Sequence, residues 1–205
     1  MTRPRSTALL LLLIIGLCSA QGAVSSPYDV VRNTAQEMTA ALKTNRAIVQ
    51  QDPGKLYELV HRIVLPHFDF ELISRWVLGQ YWRQATPAQR QRFTEEFRTF
   101  LVRTYAGALL EYVDDEIRYP PAPRVPEGAN ETTVHTEVVP KTGAPIPINY
   151  SMHLKPDLGW KVFDVTVDGV SLVTNYRSTF ASQVRNSGMD SLINDLSARN
   201  KQGKK

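Results

Sequence analysis

The amino-acid sequence predicts an α+β fold, in which an antiparallel, curved sheet packs against several helices. Apolar residues recur at three- and four-residue steps from Tyr28 to Tyr112, as they do on one face of a helix. Beyond Tyr112 they alternate with polar residues, as in half-buried strands, and helical spacing returns near Asn175. Because helices and strands are segregated along the chain, this order favours helices laid on an antiparallel sheet over a doubly wound parallel sheet.

Three helices are predicted before residue 80. The first spans residues 28–50 and is amphipathic. Its apolar face consists of Val31, Ala35, Met38, Leu42 and Val49. The second spans 53–65, with Asp52 as its N-cap and Pro53 as its first residue. The third is predicted over 69–79.

The clearest helix begins after Thr86. Thr86 and Gln89 match a capping box, and Pro87 occupies the first helical position. One apolar face then continues for about six turns. Its members are Phe93, Phe97, Phe100, Leu101, Thr104, Ala108 and Leu109. A helix with such a stripe is expected to bury it in the core.

Period-two patterning predicts the strands. They cover residues 117–119, 132–138, 146–155 and 160–168. The apolar phase slips between Val162 and Phe163, which predicts a β-bulge or burial on both sides. A turn follows at Gly169, and two helices close the chain, with Gly188 as a left-handed cap between them. Those helices are predicted over 175–187 and 189–199.

The first 20 residues predict a secretory signal peptide. Arg3 and Arg5 precede a short apolar run, and small residues follow, so cleavage is expected near Ala20 or Gly22. The run is shorter than the roughly 20 residues that span a bilayer. The mature protein is therefore expected to be exported and soluble.

Removal of the leader changes the composition of the chain. Its single cysteine, Cys18, belongs to the leader, so the mature chain is expected to contain no disulfide or multi-cysteine metal site. The full chain has 24 basic and 20 acidic residues, but much of the excess lies in the leader and the C-terminal end. One near-neutral domain is predicted over 25–199, before a basic disordered tail at 200–205. Nucleic-acid binding requires a basic face on the folded domain, so this function class is disfavoured.

The sequence offers little catalytic chemistry. It contains no Gly-x-Ser-x-Gly motif and no glycine-rich phosphate loop. The four histidines show no metal-ligand spacing, and for His67 and Asp69 a capping or core role is favoured over a metal site. The acidic run 114–116 is typical of an edge strand charged against pairing with other chains. No cofactor is predicted.

The residues alone leave other functions open. Asp164 lies at the phase slip, where an inward carboxylate could serve as the base of an isomerase-like enzyme acting on a small apolar substrate. A position at the rim or a structural hydrogen-bonding role is favoured for it. The surplus of large apolar side chains forms either a dense core, as in a protein-binding adaptor, or a core with a cavity for an aliphatic ligand.

Three segments carry a family resemblance. They are Val64–Phe70, Trp82–Phe93 with its continuation to Ala106, and Gly159–Val165 with its continuation through Arg177 to Phe180. In this order they resemble the MlaC family of toluene-tolerance proteins, which are periplasmic phospholipid-binding proteins. The resemblance covers about residues 28–196, essentially the whole mature chain.

The resemblance implies a function and a set of partners. It implies a periplasmic carrier that shields acyl chains in an apolar cavity, shuttles phospholipid between the inner and outer membranes, and maintains outer-membrane lipid asymmetry. The implied partners are an inner-membrane ABC transporter complex, met through its MCE-domain subunit, and an outer-membrane lipoprotein–porin complex.

Within such a carrier, nine residues are expected to line the cavity. They are Trp76, Phe97, Leu101, Tyr105, Ile148, Tyr150, Met152, Val165 and Leu172. Arg177, beside Tyr176, is a candidate contact for the lipid head group. Alternatively, its side chain caps its own helix at the surface.

Overall fold

The structure is a computed structural model that describes residues 25–121, 125–126 and 128–202. The predicted signal peptide and residues 203–205 lie outside the described residues. The helices are α1 (Pro27–Thr44), α2 (Arg46–Gln51), α3 (Pro53–Ile63), α4 (Phe70–Leu78), α5 (Gln80–Gln84), α6 (Pro87–Glu111), α7 (Leu172–Ser187) and α8 (Met189–Gln202). The strands are β1 (Glu116–Arg118), β2 (Glu131–Val139), β3 (Ile146–Lys155), β4 (Gly159–Val167) and β5 (Val170–Ser171).

The first predicted helix is two helices. Asn45 interrupts it between α1 and α2, and its side-chain amide donates a hydrogen bond to the carbonyl oxygen of Ala41 (2.7 Å). An asparagine side chain that bonds to the preceding turn competes with helix continuation. The seven-residue gap in the apolar pattern, between Leu42 and Val49, coincides with this break, and both residues are buried.

The next helices begin where their capping residues predict. The Asp52 side chain accepts a hydrogen bond from the backbone of Gly54 (2.8 Å) at the start of α3. This helix ends two residues earlier than predicted, because Pro66 disfavours helical backbone before it, and a short 3₁₀ helix (Leu65–His67) follows. Asp69 caps α4, which ends at Leu78 and is followed by its C-cap Gly79, with a φ of +54°. The five-residue helix α5 was not predicted, because it is too short to show a period.

The long helix α6 shows the predicted capping box, with both hydrogen bonds between Thr86 and Gln89 present. Its N-terminal half buries Phe93 and Phe97. The predicted face is wrong for the C-terminal half, where Leu109 is exposed and Ala106 is buried instead. The buried side rotates around the helix because α6 packs first against α4 and α8 and then against α3.

The five strands form one antiparallel sheet in the order β1-β2-β3-β4-β5. The predicted bulge is confirmed, since Ser151 pairs with Asp164 whereas Met152 pairs with Val162, leaving Phe163 as the extra residue. The fold class is therefore confirmed as a curved antiparallel sheet with helices.

The C-terminal helices differ from the prediction at both ends. α7 begins at Leu172 rather than residue 175, because the Ser171 side chain caps it by accepting a hydrogen bond from the backbone of Thr174. α8 continues to Gln202, so the predicted disordered tail does not begin at residue 200. Asn200 is buried and donates a hydrogen bond to the carbonyl oxygen of Glu96 (2.9 Å), which holds this last turn against α6.

Candidate functional site

Alternate residues of β2, β3 and β4 form an apolar face of the sheet. The register places Val134 opposite Tyr150 and Tyr150 opposite Val165. We call this surface the apolar face. It comprises Thr132, Val134, Thr136, Val138, Ile146, Ile148, Tyr150, Met152, Leu154, Trp160, Val162, Val165 and Val167.

One end of the apolar face is packed. Val134 and Met152 have no exposed surface, and Trp160 and Val162 are buried beside them. Val31, from the first turns of α1, belongs to the same cluster of buried side chains. This end of the face is therefore part of the core.

The other end of the apolar face remains partly exposed. We call it the open half and define it as Ile146, Ile148, Val165 and Val167. These residues lie on the two long strands inside the sheet, where inward-facing apolar side chains are ordinarily buried. The open half is thus an apolar surface in the middle of a sheet that keeps part of its area exposed.

Tyr150 lies at the boundary between the two halves. Burial raises the pKa of its hydroxyl to about 12, although the Thr136 side chain acts in the opposite direction. Thr136 is itself buried and donates a hydrogen bond to the carbonyl oxygen of Ile148 (3.0 Å). At neutral pH Tyr150 therefore adds an uncharged ring to the apolar face.

The opposite face of the sheet is covered by α4 and α7. The His153 side chain points away from the apolar face, and its ring meets the ring of Phe163 edge-on (5.9 Å). The indole of Trp76, from α4, stacks on the Phe163 ring, with the two ring centroids 6.2 Å apart. Asp164, on the same face, accepts a hydrogen bond from the backbone of Val173 near the start of α7 (3.1 Å).

The structure does not bring the nine predicted cavity residues together. The sheet residues Ile148, Tyr150, Met152 and Val165 share the apolar face, whereas Trp76 stacks over the opposite face. Among the sheet residues, Met152 is completely buried and the other three are partly buried. The predicted lining is thus divided by the sheet.

The remaining predicted lining residues belong to the helices. Phe97 is buried among other aromatic rings, and Leu101 and Leu172 are partly buried. The hydroxyl of Tyr105 lies 3.0 Å from that of Tyr176. Burial and this hydrogen bond raise the pKa of Tyr176, so its phenol stays uncharged at neutral pH.

The Asp69 carboxylate joins two elements. It is 8% exposed and accepts hydrogen bonds from the backbone of Leu72 (3.1 Å), from Lys155 Nζ (2.9 Å) and, when its ring nitrogen carries a proton, from His153 Nε2 (3.1 Å). Burial raises the pKa of Asp69, but the bonds from Lys155 and Leu72 and the charges of Lys155 and His153 outweigh it, so the pKa lies below its usual value. Asp69 therefore links α4 to β3.

The metal-site alternative finds no support in the described part of the chain, which contains no group of three candidate ligands. His67 does not share the Asp69 contacts, and burial together with the nearby Lys161 charge lowers the pKa of its imidazole. In the acidic run, Asp114 pairs with Arg46 and Glu116 begins the edge strand β1. Asp114 and Glu116 thus each pair with an arginine, Arg46 and Arg118 respectively.

Asp164, the candidate base, caps a helix. One of its carboxylate oxygens accepts from the backbone of Val173, and the other accepts from the Ser171 hydroxyl (2.5 Å). Through these two hydrogen bonds, the Asp164 carboxylate in β4 stabilises the connection to the start of α7. This arrangement matches the structural role that the sequence favoured.

Substitution of Asp164 by alanine is expected to lower the free energy of unfolding by about 1 kcal/mol, the typical contribution of a cap. Chemical denaturation would measure this loss. Bound lipid per protein, measured after detergent-free purification, should not change. A loss of lipid binding in a folded variant would contradict the purely structural role.

A family model described as MlaC protein matches residues 32–198. The chain belongs to the MlaC family. This MlaC-family chain is 33% identical over 184 residues to toluene tolerance protein ttg2D of Pseudomonas putida, covering 88% of this chain and 83% of that protein. It is 26% identical over 176 residues to the intermembrane phospholipid transport system binding protein MlaC of Haemophilus influenzae, covering 85% and 82% respectively.

A solved structure shares the fold of this MlaC-family chain. It is a phospholipid-binding protein from Ralstonia solanacearum in complex with a phospholipid. The two structures superpose with a TM-score of 0.80 at 28% sequence identity, over 88% of this chain and all of that one. The family resemblance seen in the sequence is thereby confirmed. Within the described residues, no helix combines the length and apolar character that a bilayer span requires.

Proposed function

We propose that this chain is a periplasmic phospholipid carrier that shields acyl chains against the open half of the apolar face. The observation that carries the proposal is the partial exposure of Ile148 and Val165 inside the sheet. The likeness to a protein solved with a phospholipid, and the relative named for phospholipid transport, support the same ligand. In this proposal the chain catalyses no reaction and uses no cofactor.

The energetics of acyl chains explain why such a carrier is needed. Two acyl chains hold about 30 methylenes, and their exposure to water costs on the order of 20 kcal/mol. A phospholipid therefore does not cross an aqueous compartment unaided at a useful rate. A protein with an apolar surface between sheet and helices can hold the tails while the head group stays in water.

The place and the partners of the carrier are part of the proposal. The expected signal peptide supports export to the periplasm, where the chain would shuttle lipid and maintain outer-membrane asymmetry. We propose that it exchanges lipid with an inner-membrane ABC transporter complex, through its MCE-domain subunit, and with an outer-membrane lipoprotein–porin complex. The relative named as part of an intermembrane system supports this arrangement.

Detergent-free purification followed by mass spectrometry tests lipid binding directly. The protein, expressed with its own N-terminal segment, should yield co-purified diacyl phospholipid in a fixed ratio to protein. Circular dichroism on the same sample would establish that the protein is folded. A folded protein without lipid, and unable to take it up from vesicles, would overturn the proposal.

A pair of neighbouring substitutions tests where the tails lie. Val165→Asn places an amide in the open half, and Thr166→Asn places the same amide on the opposite face of β4. Burying an unpaired amide against acyl chains costs about 1–3 kcal/mol, so Val165→Asn should reduce retained lipid about tenfold. Thr166→Asn should retain lipid as the unmodified protein does. Equal lipid content in the two variants would contradict the assignment to the open half.

A further inference from the structure

A cleft outside the apolar face is lined by three arginines and two tryptophans. It has a volume of about 250 Å³. It is formed by the end of α4, by α5 and by α7. Its lining residues are Arg75, Trp76, Gly79, Trp82, Arg83 and Arg177. We call it the arginine cleft.

Among the described residues, no carboxylate lies within ion-pair distance of the three arginines of the cleft. Within the described part of the chain, none of Arg75, Arg83 and Arg177 forms an ion pair or donates a side-chain hydrogen bond. By contrast, Arg46 and Arg118 each pair with an acidic side chain. Three guanidinium groups around one small cleft repel one another, so an anion placed there gains attraction from all three.

The backbone makes room for one of these guanidinium groups. Gly79 has a φ of +54°, and a Cβ atom at this position would lie 3.2 Å from Nε and Nη2 of Arg177. A side chain at residue 79 would therefore strain the backbone and displace Arg177. Glycine at position 79, between α4 and α5, thus leaves space for the Arg177 side chain of α7.

The two indoles give the cleft an amphipathic rim. Trp76 is 47% exposed, although it also stacks on Phe163. Trp82 is held in place by Arg90, whose guanidinium lies 5.4 Å from the ring centroid and donates to the Trp82 carbonyl oxygen (2.7 Å). Trp82 is partly buried. An exposed indole beside arginines is typical of surfaces that meet the interface of a bilayer, where head-group phosphates adjoin apolar chains.

We propose that the arginine cleft binds the phosphate of a phospholipid head group in an anionic membrane surface. Guanidinium groups recognise phosphate with paired hydrogen bonds, and the indoles suit the apolar layer below. Because the cleft lies on the α4–α7 side of the sheet, opposite the open half, it contacts a lipid other than the carried one. It would orient the carrier on the membrane without holding its cargo.

Vesicle sedimentation tests this proposal. The unmodified protein should sediment with vesicles of phosphatidylcholine and phosphatidylglycerol, but not with phosphatidylcholine alone, and salt should weaken the binding. At about a factor of five per arginine near the surface, the triple variant Arg75→Gln, Arg83→Gln, Arg177→Gln should bind about a hundredfold more weakly. Arg185→Gln removes an exposed arginine from the same helix as Arg177 and should bind as the unmodified protein does.

Two further measurements separate the possible outcomes. Inorganic phosphate, compared with chloride at equal ionic strength, should compete only weakly; full displacement would show a site for free phosphate and overturn the membrane assignment. Co-purified lipid per protein should be unchanged in the triple variant, which distinguishes this proposal from that of lipid carriage. Unmodified protein that carries lipid but ignores the anionic vesicles, or a folded triple variant that still binds them, would refute the proposal.

Discussion

Replacement of Phe97 by alanine is expected to lower the free energy of unfolding by about 4 kcal/mol, in the range found for buried phenylalanines. Phe97 is 1% exposed, and its ring centroid lies 5.5 Å from that of Phe93 and 5.2 Å from that of Tyr176. Phe180 adds an edge-on contact at 5.4 Å. Loss of the ring leaves a cavity among α6, α7 and α8 that these neighbours fill only in part.

Trp76→Ala provides the comparison, because the sequence predicted both residues to line the cavity. Trp76 is 47% exposed, and its main aromatic contact is the stacked ring of Phe163. Its loss should cost about 1 kcal/mol, the contribution of one aromatic pair. Urea denaturation of lipid-free protein would measure both variants. If Phe97→Ala proved as stable as the unmodified protein but no longer retained lipid, Phe97 would line the cavity instead of sealing the core.

The features that the sequence predicted correctly depend on neighbours in the chain. Asp52 and Thr86 cap helices through groups two or three residues away, and such patterns are visible without a fold. The bulge at Phe163 is also local, because an extra residue shifts the alternation of apolar side chains within β4 itself. For these features the sequence contains all the information required.

No local sequence pattern indicated that the predicted cavity residues would lie on opposite faces of the sheet. Alternation places Ile148 and Val165 on one face of the sheet, but it does not say which helices cover that face. α1 covers part of the apolar face through Val31, whereas α4 and α7, with Trp76, cover the other. The rotation of the buried side of α6 near Ala106 likewise depends on the helices that pack there.

The arginine cleft and the Asp69 contacts were missed for a similar reason. Arg75 and Arg177 are separated by about a hundred residues, and no spacing rule connects them. Lys155 lies 86 residues after Asp69, so the pair of charges became visible only once α4 and β3 were adjacent. A partial signal did exist in β3, where His153 and Lys155 share the face opposite Met152.

Asp69→Ala is expected to lower the free energy of unfolding by about 3 kcal/mol, because it removes a helix cap and leaves the Lys155 charge without its partner. The control is Asp52→Ala, which removes the exposed cap of α3. Among the described residues, the Asp52 side chain accepts one hydrogen bond, from the backbone of Gly54, so its loss should cost about 1 kcal/mol. Equal losses in the two variants would show that Lys155 and His153 add nothing to the cap.

Substitution of Asp69 by asparagine, studied as a function of pH, separates the contribution of the Asp69 charge from that of its shape. Because the folded protein holds the pKa of Asp69 below its usual value, the ionised carboxylate stabilises the fold above about pH 4. As the pH falls through the lowered pKa, the carboxylate gains a proton and this stabilisation is lost. The free energy of unfolding, measured with urea from neutral to acidic pH, should therefore differ between the unmodified protein and Asp69→Asn at neutral pH and converge in acid. A difference that stays constant with pH would assign the effect of Asp69 to packing, since an amide of nearly equal size retains the shape of the carboxylate but not its charge.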